Sequence, residues 1–327
     1  MEVLSLLAEP FLDVSSRTFW PCLLVSALLA LALSGSTRWD SVRAALRHRS
    51  TRLDVQLLIG RQLLAAVGAL PALIGATALG IAVARWLSHL LGAGPLQGTL
   101  PAWGIAAIYA VTFLVAWDAS RFVLHWMMHR VPVLWAFHQV HHSAEVLTPL
   151  TIHRVHPVET VLYAARGAGV TGVVAGVFFW LFGTSTPAAA LVAITGAGVA
   201  LNAVFGNLRH SHVWLRFGRW ERWFVSPAQH QLHHADDPAT YNTNYGVWLA
   251  VWDRLLGTWR PAPEAPPATY GIGAARNHGE SLISAWWGPI RDAAGRTWQR
   301  IRLVADPVRL GQETAQRLMG PKTDSTT

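Results

Sequence analysis

Histidine is concentrated in two nearly identical pentads, HQVHH at 138–142 and HQLHH at 230–234. The chain has 15 histidines among 327 residues, and twelve of them lie between positions 125 and 234. In each pentad the histidines recur at i, i+3 and i+4, so all three imidazoles share one face if the pentad is helical. His125 and His129 form a further pair at i and i+4. Imidazoles this close together would repel one another when protonated, so the pattern predicts metal binding.

The number of candidate ligands indicates two metal ions rather than one. Imidazole nitrogen suits zinc, copper, iron or nickel, but a catalytic zinc site typically uses three protein ligands. The single cysteine, Cys22, excludes a cysteine-based zinc site. Two iron ions held by histidine alone is the interpretation that uses the whole set. The predicted metal ligands are His125, His129, His138, His141, His142, His210, His230, His233 and His234.

Two alternatives remain open from the residues themselves. One is a membrane metallohydrolase that uses zinc, and about one zinc per chain would favour it. The other is a non-catalytic metal-binding membrane protein. A metal carrier would place ionisable residues through several spans, whereas here they gather at one end of the predicted helices.

Other residues are expected to contact the ligating imidazoles from outside. A ligating histidine usually donates its second ring N–H to a carboxylate or a carbonyl. Asp118 lies seven residues before His125, two helical turns back on the same face, and a lone aspartate in an apolar helix is normally functional. His212, two residues after His210, also stays open as a ligand. The predicted outer residues are Asp118, His153, His156 and Asn244, with Glu159, Asp236 and Asp253 as weaker candidates, and His153 and His156 stay open as ligands.

The composition predicts an all-α membrane protein with about four to five spans. Hydrophobic residues make up 52% of the chain, charged residues only 13%, and the mean hydropathy is +0.30. A soluble domain has about 25% charged residues, and the 17 tryptophans suit a bilayer interface. Apolar runs of spanning length or close to it occupy 18–34, 62–87, 102–117, 167–183 and 187–205. The helical periodicity of the third run continues to His129.

Arginine in the loops predicts the orientation of the spans. Five arginines lie in the loop 35–55 and none in the loop 88–101. By the positive-inside rule the first loop is cytoplasmic and the N-terminus is outside. The two pentads flank a predicted hairpin of two spans, so they share the cytoplasmic face and form a helical cap there. The net charge of +8 is spread over several loops, which does not favour nucleic acid as a partner.

The chain divides into three predicted regions. Residues 1–100 form N-terminal membrane helices, and residues 101–260 form the catalytic domain with the histidines. Residues 261–327 form a Pro-rich segment followed by a basic, amphipathic tail, with a helix expected near 291–318.

The order HxxxH, HxxHH, a later lone histidine and HxxHH resembles the membrane fatty acid hydroxylase/sterol desaturase superfamily. The matching segments are HWMMH at 125–129, the two pentads, and His210 in NLRHSH. The resemblance covers about residues 118–259. His212 departs from the pattern, because many relatives have asparagine or another polar residue there.

The resemblance implies a di-iron, O2-dependent enzyme of the bacterial inner membrane that hydroxylates or desaturates a lipid. The substrate would be fatty acyl, sterol or polyprenoid-like, and ether cleavage is a further possible outcome. The sequence has no haem-attachment, flavin or iron–sulfur motif. Electrons are therefore expected from an external ferredoxin- or cytochrome-type donor with its reductase.

Overall fold

The computed structural model describes residues 2–13, 16, 18–34, 39–66, 75–183, 206–273 and 281–305. In this part of the chain the regular elements are helices, and β-pairing is limited to two isolated bridges, Phe224 with Leu249 and Ala235 with Tyr270. The predicted all-α fold is therefore confirmed for the residues described. The predicted fifth span at 187–205 lies outside them.

Five helices precede the histidine-bearing part. They are α1 (Glu2–Leu12), α2 (Trp20–Ser34), α3 (Trp39–Arg47), α4 (Arg49–Ala66) and α5 (Ala76–Leu91). The predicted first span at 18–34 corresponds to α2. The predicted second span at 62–87 is divided between the end of α4 and most of α5, and residues 67–74 between them lie outside the described residues.

Among the described residues, two helices are long and apolar enough to cross a membrane, α6 (Ala102–Arg130) and α8 (Pro157–Phe182). In their apolar windows only 17% and 22% of the residues are buried, so most of these side chains face outward. At 1.5 Å per residue, α6 is about 44 Å long, which exceeds the roughly 30 Å of a bilayer core. The helix continues past its apolar run to Arg130, as the sequence periodicity predicts.

Glycine allows α5 and α8 to approach closely. Gly172 and Gly176 lie one turn apart on α8, opposite Ala76 and Gly80 of α5. A Cβ at Gly172 would lie 2.7 Å from the Ala76 carbonyl oxygen, and one at Gly176 would lie 2.5 Å from the Gly80 carbonyl oxygen. Small residues at this spacing let helix backbones meet in a membrane.

The pentads lie on two short helices that begin at proline. α7 (Pro132–His142) follows α6 directly, and Val131 between them has the extended conformation that a residue before proline prefers. α9 (Pro227–His233) starts at a capping box between Ser226 and Gln229. The remaining elements are α10 (Val251–Leu255), α11 (Leu282–Ala305) and 3₁₀ helices at Pro149–His153, Asn207–His210 and Gly218–Arg222. α11 begins nine residues before the predicted start of the amphipathic helix and packs against α7.

A buried ion pair fixes the end of α7 against α4. Arg154 Nη1 donates to Asp54 Oδ1 at 2.9 Å, and both side chains are almost fully buried. Arg154 also donates to the carbonyl oxygens of Val140 and Ser143. Three separate segments are thereby held together directly behind the first pentad.

Candidate metal centre

The nine histidines predicted as ligands meet in two adjacent groups. The first cluster consists of His125, His129, His138, His142 and His233, and the second cluster consists of His141, His210, His230 and His234. Within each cluster the nitrogen atoms that could bind a metal all lie within 4.8 Å of one another. The rings of His142 and His234 stack at 4.4 Å between centroids, so the clusters touch.

Each pentad supplies both clusters. In α7, His138 and His142 enter the first cluster, while His141 enters the second. In α9, His230 and His234 enter the second cluster, while His233 enters the first. The i and i+4 rings of each helix therefore serve one cluster and the i+3 ring serves the other. This division is the physical reason why HxxHH occurs twice.

Three rings of the first cluster are fixed by hydrogen bonds from Nδ1. His125 Nδ1 lies 2.7 Å from the Tyr245 carbonyl oxygen, and His233 Nδ1 lies 2.6 Å from the Thr243 carbonyl oxygen. His138 Nδ1 lies 3.0 Å from Glu159 Oε1. These acceptors make Nδ1 the protonated nitrogen and leave the Nε2 lone pair free to bind a metal.

The Nε2 atoms of the first cluster fit a metal ion better than they fit one another. Nε2 of His129, His138 and His142 is buried without a hydrogen-bond partner. Nε2 of His125 and His233 lie 3.1 Å apart. Around a metal with bonds of about 2.1 Å, neighbouring ligands lie about 3.0 Å apart at right angles and about 3.4 Å apart in a tetrahedron. Five nitrogens within 4.8 Å of one another exceed what a tetrahedral zinc site uses.

The second cluster has fewer outer contacts. His210 Nε2 lies 3.0 Å from His230 Nε2 and 3.2 Å from His234 Nε2. Nδ1 of His141, His230 and His234 is buried and has no hydrogen-bond partner among the described residues. Three of its four rings therefore lack the Nδ1 acceptor that orients rings in the first cluster.

Burial keeps the imidazoles in the form that can bind a metal. Burial, offset in part by the Thr243 carbonyl oxygen, lowers the pKa of His233 to about 3. Burial also holds the pKa of His141 and of His234 well below the usual value, and the charges of neighbouring histidines lower it further. At neutral pH these rings carry a lone pair rather than a second proton.

The segment 242–246 supplies the carbonyl oxygens that orient the first cluster. Asn242 and Asn244 have φ values of +61° and +55°, the left-handed conformation that asparagine tolerates. Asn244 accepts from the Arg260 N–H and donates to the Gln229 carbonyl oxygen. Asp253 accepts from the N–H groups of Tyr245 and Gly246 at 2.8 and 2.7 Å. Asn244 therefore acts on His125 and His233 through the neighbouring backbone.

The structure corrects the role predicted for Asp118. Its carboxylate accepts from the backbone N–H groups of Trp248 and Leu249 and from Nε1 of Trp252, at 2.9–3.0 Å. It contacts no ligating ring, because His125 is turned toward the Tyr245 carbonyl oxygen instead. Asp118 anchors the loop that follows segment 242–246 to α6.

His153 and His156 both lie outside the two clusters. His153 pairs with Thr18 Oγ1 at 3.0 Å. His156 caps α8 by accepting from the Val158 N–H, and its Nε2 donates to the Trp286 carbonyl oxygen. Both rings form hydrogen bonds with other parts of the chain. The predicted contact with a ligating imidazole is not seen for either of them among the described residues.

Glu159 contacts His138, a histidine of the first cluster. It was predicted only as a weaker candidate than Asp118. It is only 2% exposed. The carbonyl oxygens of Thr243 and Tyr245 were not predicted, because a backbone acceptor has no side-chain signature. The sequence NTNYG at 242–246 could have indicated these carbonyl oxygens, because its two asparagines suit left-handed turns. His212 is exposed and lies outside both clusters, whereas His210 lies within the second.

Two cavities border the clusters. One of about 230 Å³ reaches the first cluster and is lined in part by His129, His142, His233, Trp135 and Tyr241. A larger, mainly apolar cavity of about 540 Å³ lies between α2, α3, the segment 145–149 and the 3₁₀ helix that carries His210. Leu208 and Ser211, on either side of the ligand segment, line its wall.

Comparisons with known proteins agree on this part of the chain. The family model described as fatty acid hydroxylase matches residues 110–258. The ornithine lipid hydroxylase OlsE of Rhizobium tropici is 31% identical over 166 residues, which cover 51% of this chain and 46% of that protein. Human alkylglycerol monooxygenase is 26% identical over 47% of this chain and 31% of its own length. A rice very-long-chain aldehyde decarbonylase is 28% identical over 47% of this chain and 56% of its own length.

The chain therefore matches about a third to just over half of the length of these curated relatives. No solved structure matches it.

Proposed function

Because residues 110–258 match the family model described as fatty acid hydroxylase, we propose that this chain is a membrane-bound, non-haem di-iron enzyme that uses O2 to hydroxylate a lipid. The observation that carries the proposal is the convergence of nine histidines into two touching clusters, each supplied by both pentads. Hydroxylation is preferred to desaturation because two of the relatives are named as a lipid hydroxylase and an alkylglycerol monooxygenase.

Iron suits the donor set better than zinc does. The first cluster offers five imidazole nitrogens and the second offers four, whereas a catalytic zinc keeps three protein ligands and an open position. Two zinc sites of that kind would leave several buried nitrogens without a partner. Five- and six-coordinate iron accepts all-nitrogen surroundings.

The protein residues would hold the ligating imidazoles in position and keep water away from the site. Two bound iron ions would supply the reduction of O2 that attack on an unactivated C–H bond requires. Glu159 and the two carbonyl oxygens hold three imidazoles in one tautomer. Tyr245 packs against the rings of the first cluster, and burial raises the pKa of its hydroxyl to about 12, so it stays neutral. Eight of the nine ligands are buried, and His129 is partly buried, which would limit the contact of the site with bulk water.

The apolar cavity of about 540 Å³ is the proposed site for the lipid chain. Its volume falls within the range of small-molecule sites, about 300–1,000 Å³. Most of its wall is aliphatic, and the polar residues Asn207, Ser211 and His212 of its wall lie beside His210. The smaller cavity at the first cluster would admit O2.

We place the apolar parts of α6 and α8 in the membrane and the clusters on its cytoplasmic face. Exposed residues of these helices, such as Val111 and Phe179, are apolar. A patch beside α6 exposes more than half of Trp220, Trp223 and Leu255, a composition typical of a bilayer interface. Thr18, before the start of α2, pairs with His153 on the side of the clusters, which does not fit the N-terminus predicted outside. The basic cytoplasmic face would receive an external ferredoxin- or cytochrome-type electron donor.

Metal content and lipid profiling test the proposal together. Cells that express the wild type should contain a lipid heavier by one oxygen atom, and the purified protein should contain iron. His141→Ala should abolish the product, whereas the matched variant His89→Ala, at an exposed histidine of α5 outside the clusters and the cavities, should retain it. Identical lipids in wild type and His141→Ala, or zinc in place of iron, would refute the proposal.

A further inference from the structure

Arg209 is a buried cation with unsatisfied donors beside the metal centre. Its side chain is only 2% exposed, and neither Nε nor Nη2 has a hydrogen-bond partner. The guanidinium lies flat on Trp248, 4.0 Å from the ring centroid. Leaving charged donors buried and unpaired costs several kcal/mol, so such a group normally has a partner of opposite charge.

Two more arginines lie around the same turn of α6. Arg166 Nη1 donates to Ser120 Oγ and to the Trp117 carbonyl oxygen, and its Nε is buried without a partner. Nε of Arg121 is likewise buried without a partner, and its guanidinium lies over the Tyr163 ring. Arg121, Arg166 and Arg209 are called the arginine triad below.

The protein balances the charges of the triad only in part. Asp118 attracts Arg209 electrostatically, but its hydrogen bonds are taken by the neutral donors of Trp248, Leu249 and Trp252. Among the described residues, none of the three arginines takes part in a salt bridge. Arg121 repels both Arg166 and Arg209.

We propose that the arginine triad binds the anionic headgroup, phosphate or carboxylate, of a lipid. The planar guanidinium fork matches the oxygen atoms of both groups and binds them bidentately. An anion at this position would satisfy the buried donors and offset the repulsion that Arg121 exerts on Arg166 and Arg209. The unpartnered Nε of each arginine points to the same chemistry.

The level of the triad along α6 and α8 indicates a lipid rather than a free anion. The apolar run of α6 ends at Trp117, and that of α8 begins at Gly167, so Arg121 and Arg166 mark the same edge of the apolar layer. Arginine at that level lies where lipid headgroups lie.

The triad also adjoins the metal ligands. Arg121 precedes His125 by one helical turn, about 6 Å along the axis, and Arg209 directly precedes His210. If the chain is the lipid hydroxylase proposed above, on which this step rests, the anionic headgroup belongs to its substrate. The oxidised carbon would then lie near the headgroup rather than at the far end of the chain.

Lipid binding to the full-length, iron-loaded protein tests the site without measuring activity. The protein is placed in nanodiscs of phosphatidylcholine alone or mixed with phosphatidylglycerol, and retained lipids are identified by native mass spectrometry. We expect the wild type to retain phosphatidylglycerol preferentially, and Arg209→Gln to lower that preference about tenfold, as expected for the loss of charge-assisted hydrogen bonds. Arg216→Gln, at an exposed arginine outside the triad, should keep the preference.

Further arms separate the outcomes. Arg121→Gln should reduce the preference in the same way, which covers the case in which Arg209→Gln does not fold. Equal preference in wild type and both triad variants would overturn the proposal. Stabilisation by inorganic phosphate alone, without selection of the anionic lipid, would overturn the assignment to a headgroup. Iron content is measured in every variant, so a failure of the metal centre is distinguished from a failure of the anion site.

Discussion

Replacing Glu159 with glutamine tests how the first cluster is held. Glu159 Oε1 accepts from His138 Nδ1 at 3.0 Å, and both side chains are almost fully buried. Glutamine keeps the shape and one acceptor oxygen but removes the negative charge that opposes the bound metal. It also places an N–H donor where the other carboxylate oxygen now lies without a partner.

The expected effect is weaker binding of one iron ion. Loss of an outer hydrogen-bond partner of a metal-binding histidine typically costs 10–100-fold in affinity, which is about 1.4–2.8 kcal/mol. The first cluster should lose its iron at a lower chelator concentration, while the second cluster should not change. Glu159→Ala should have the larger effect, because it also leaves Nδ1 of His138 without an acceptor.

The assay is a chelator titration followed by Mössbauer spectroscopy of protein enriched in ⁵⁷Fe, which resolves the two sites. Glu145→Gln is the matched control, because Glu145 pairs with Arg49 and not with a ligating histidine. The reasoning is refuted if Glu159→Gln releases both ions at the wild-type chelator concentration, or if the second cluster is the one that weakens.

Three further predictions follow from the same contacts. The second cluster should lose its iron before the first during chelation of the wild type, because three of its Nδ1 atoms lack an acceptor; release in the opposite order would contradict this. The metal-free protein should lose stability on acidification, because His233 takes up a proton below about pH 6.5 when unfolded but only near a pKa of about 3 when folded. At pH 5 this histidine alone costs about 2 kcal/mol, and chemical denaturation that is independent of pH between 7 and 5 would exclude the effect. Gly176→Leu should destabilise the packing of α5 on α8 by about 1–3 kcal/mol, whereas Gly169→Leu, where a Cβ meets nothing within 4 Å, should not; equal melting temperatures would contradict the close approach.

Local patterns in the sequence were sufficient for the helices that carry the histidines. The periodicity that continues past the apolar run of α6 correctly predicted one helix through His129, because helical spacing is a local property. The prolines at 132 and 227 mark the starts of α7 and α9 for the same reason. The i, i+3, i+4 spacing also indicated that one helix face could supply ligands to two metal ions.

Contacts between distant segments were harder to predict from the sequence. Glu159 reaches His138 from the first turn of a different helix, and nothing in its local sequence distinguishes it from a helix-start glutamate. Asp118 was misassigned because its position on the His125 face is a helical property, whereas its partners come from the loop 248–252. The predicted second span at 62–87 does not correspond to one helix, because α5 begins only at Ala76. A continuous apolar run does not show where one helix ends and the next begins.

The most direct test of the two-cluster arrangement is the metal content of single-histidine variants on one pentad helix. The wild type should bind two iron ions per chain, consistent with two groups of ligands. His138→Ala should weaken only the iron of the first cluster, and His141→Ala, three residues along the same helix, only that of the second. A single metal per chain in the wild type, or loss of the same metal in both variants, would contradict it.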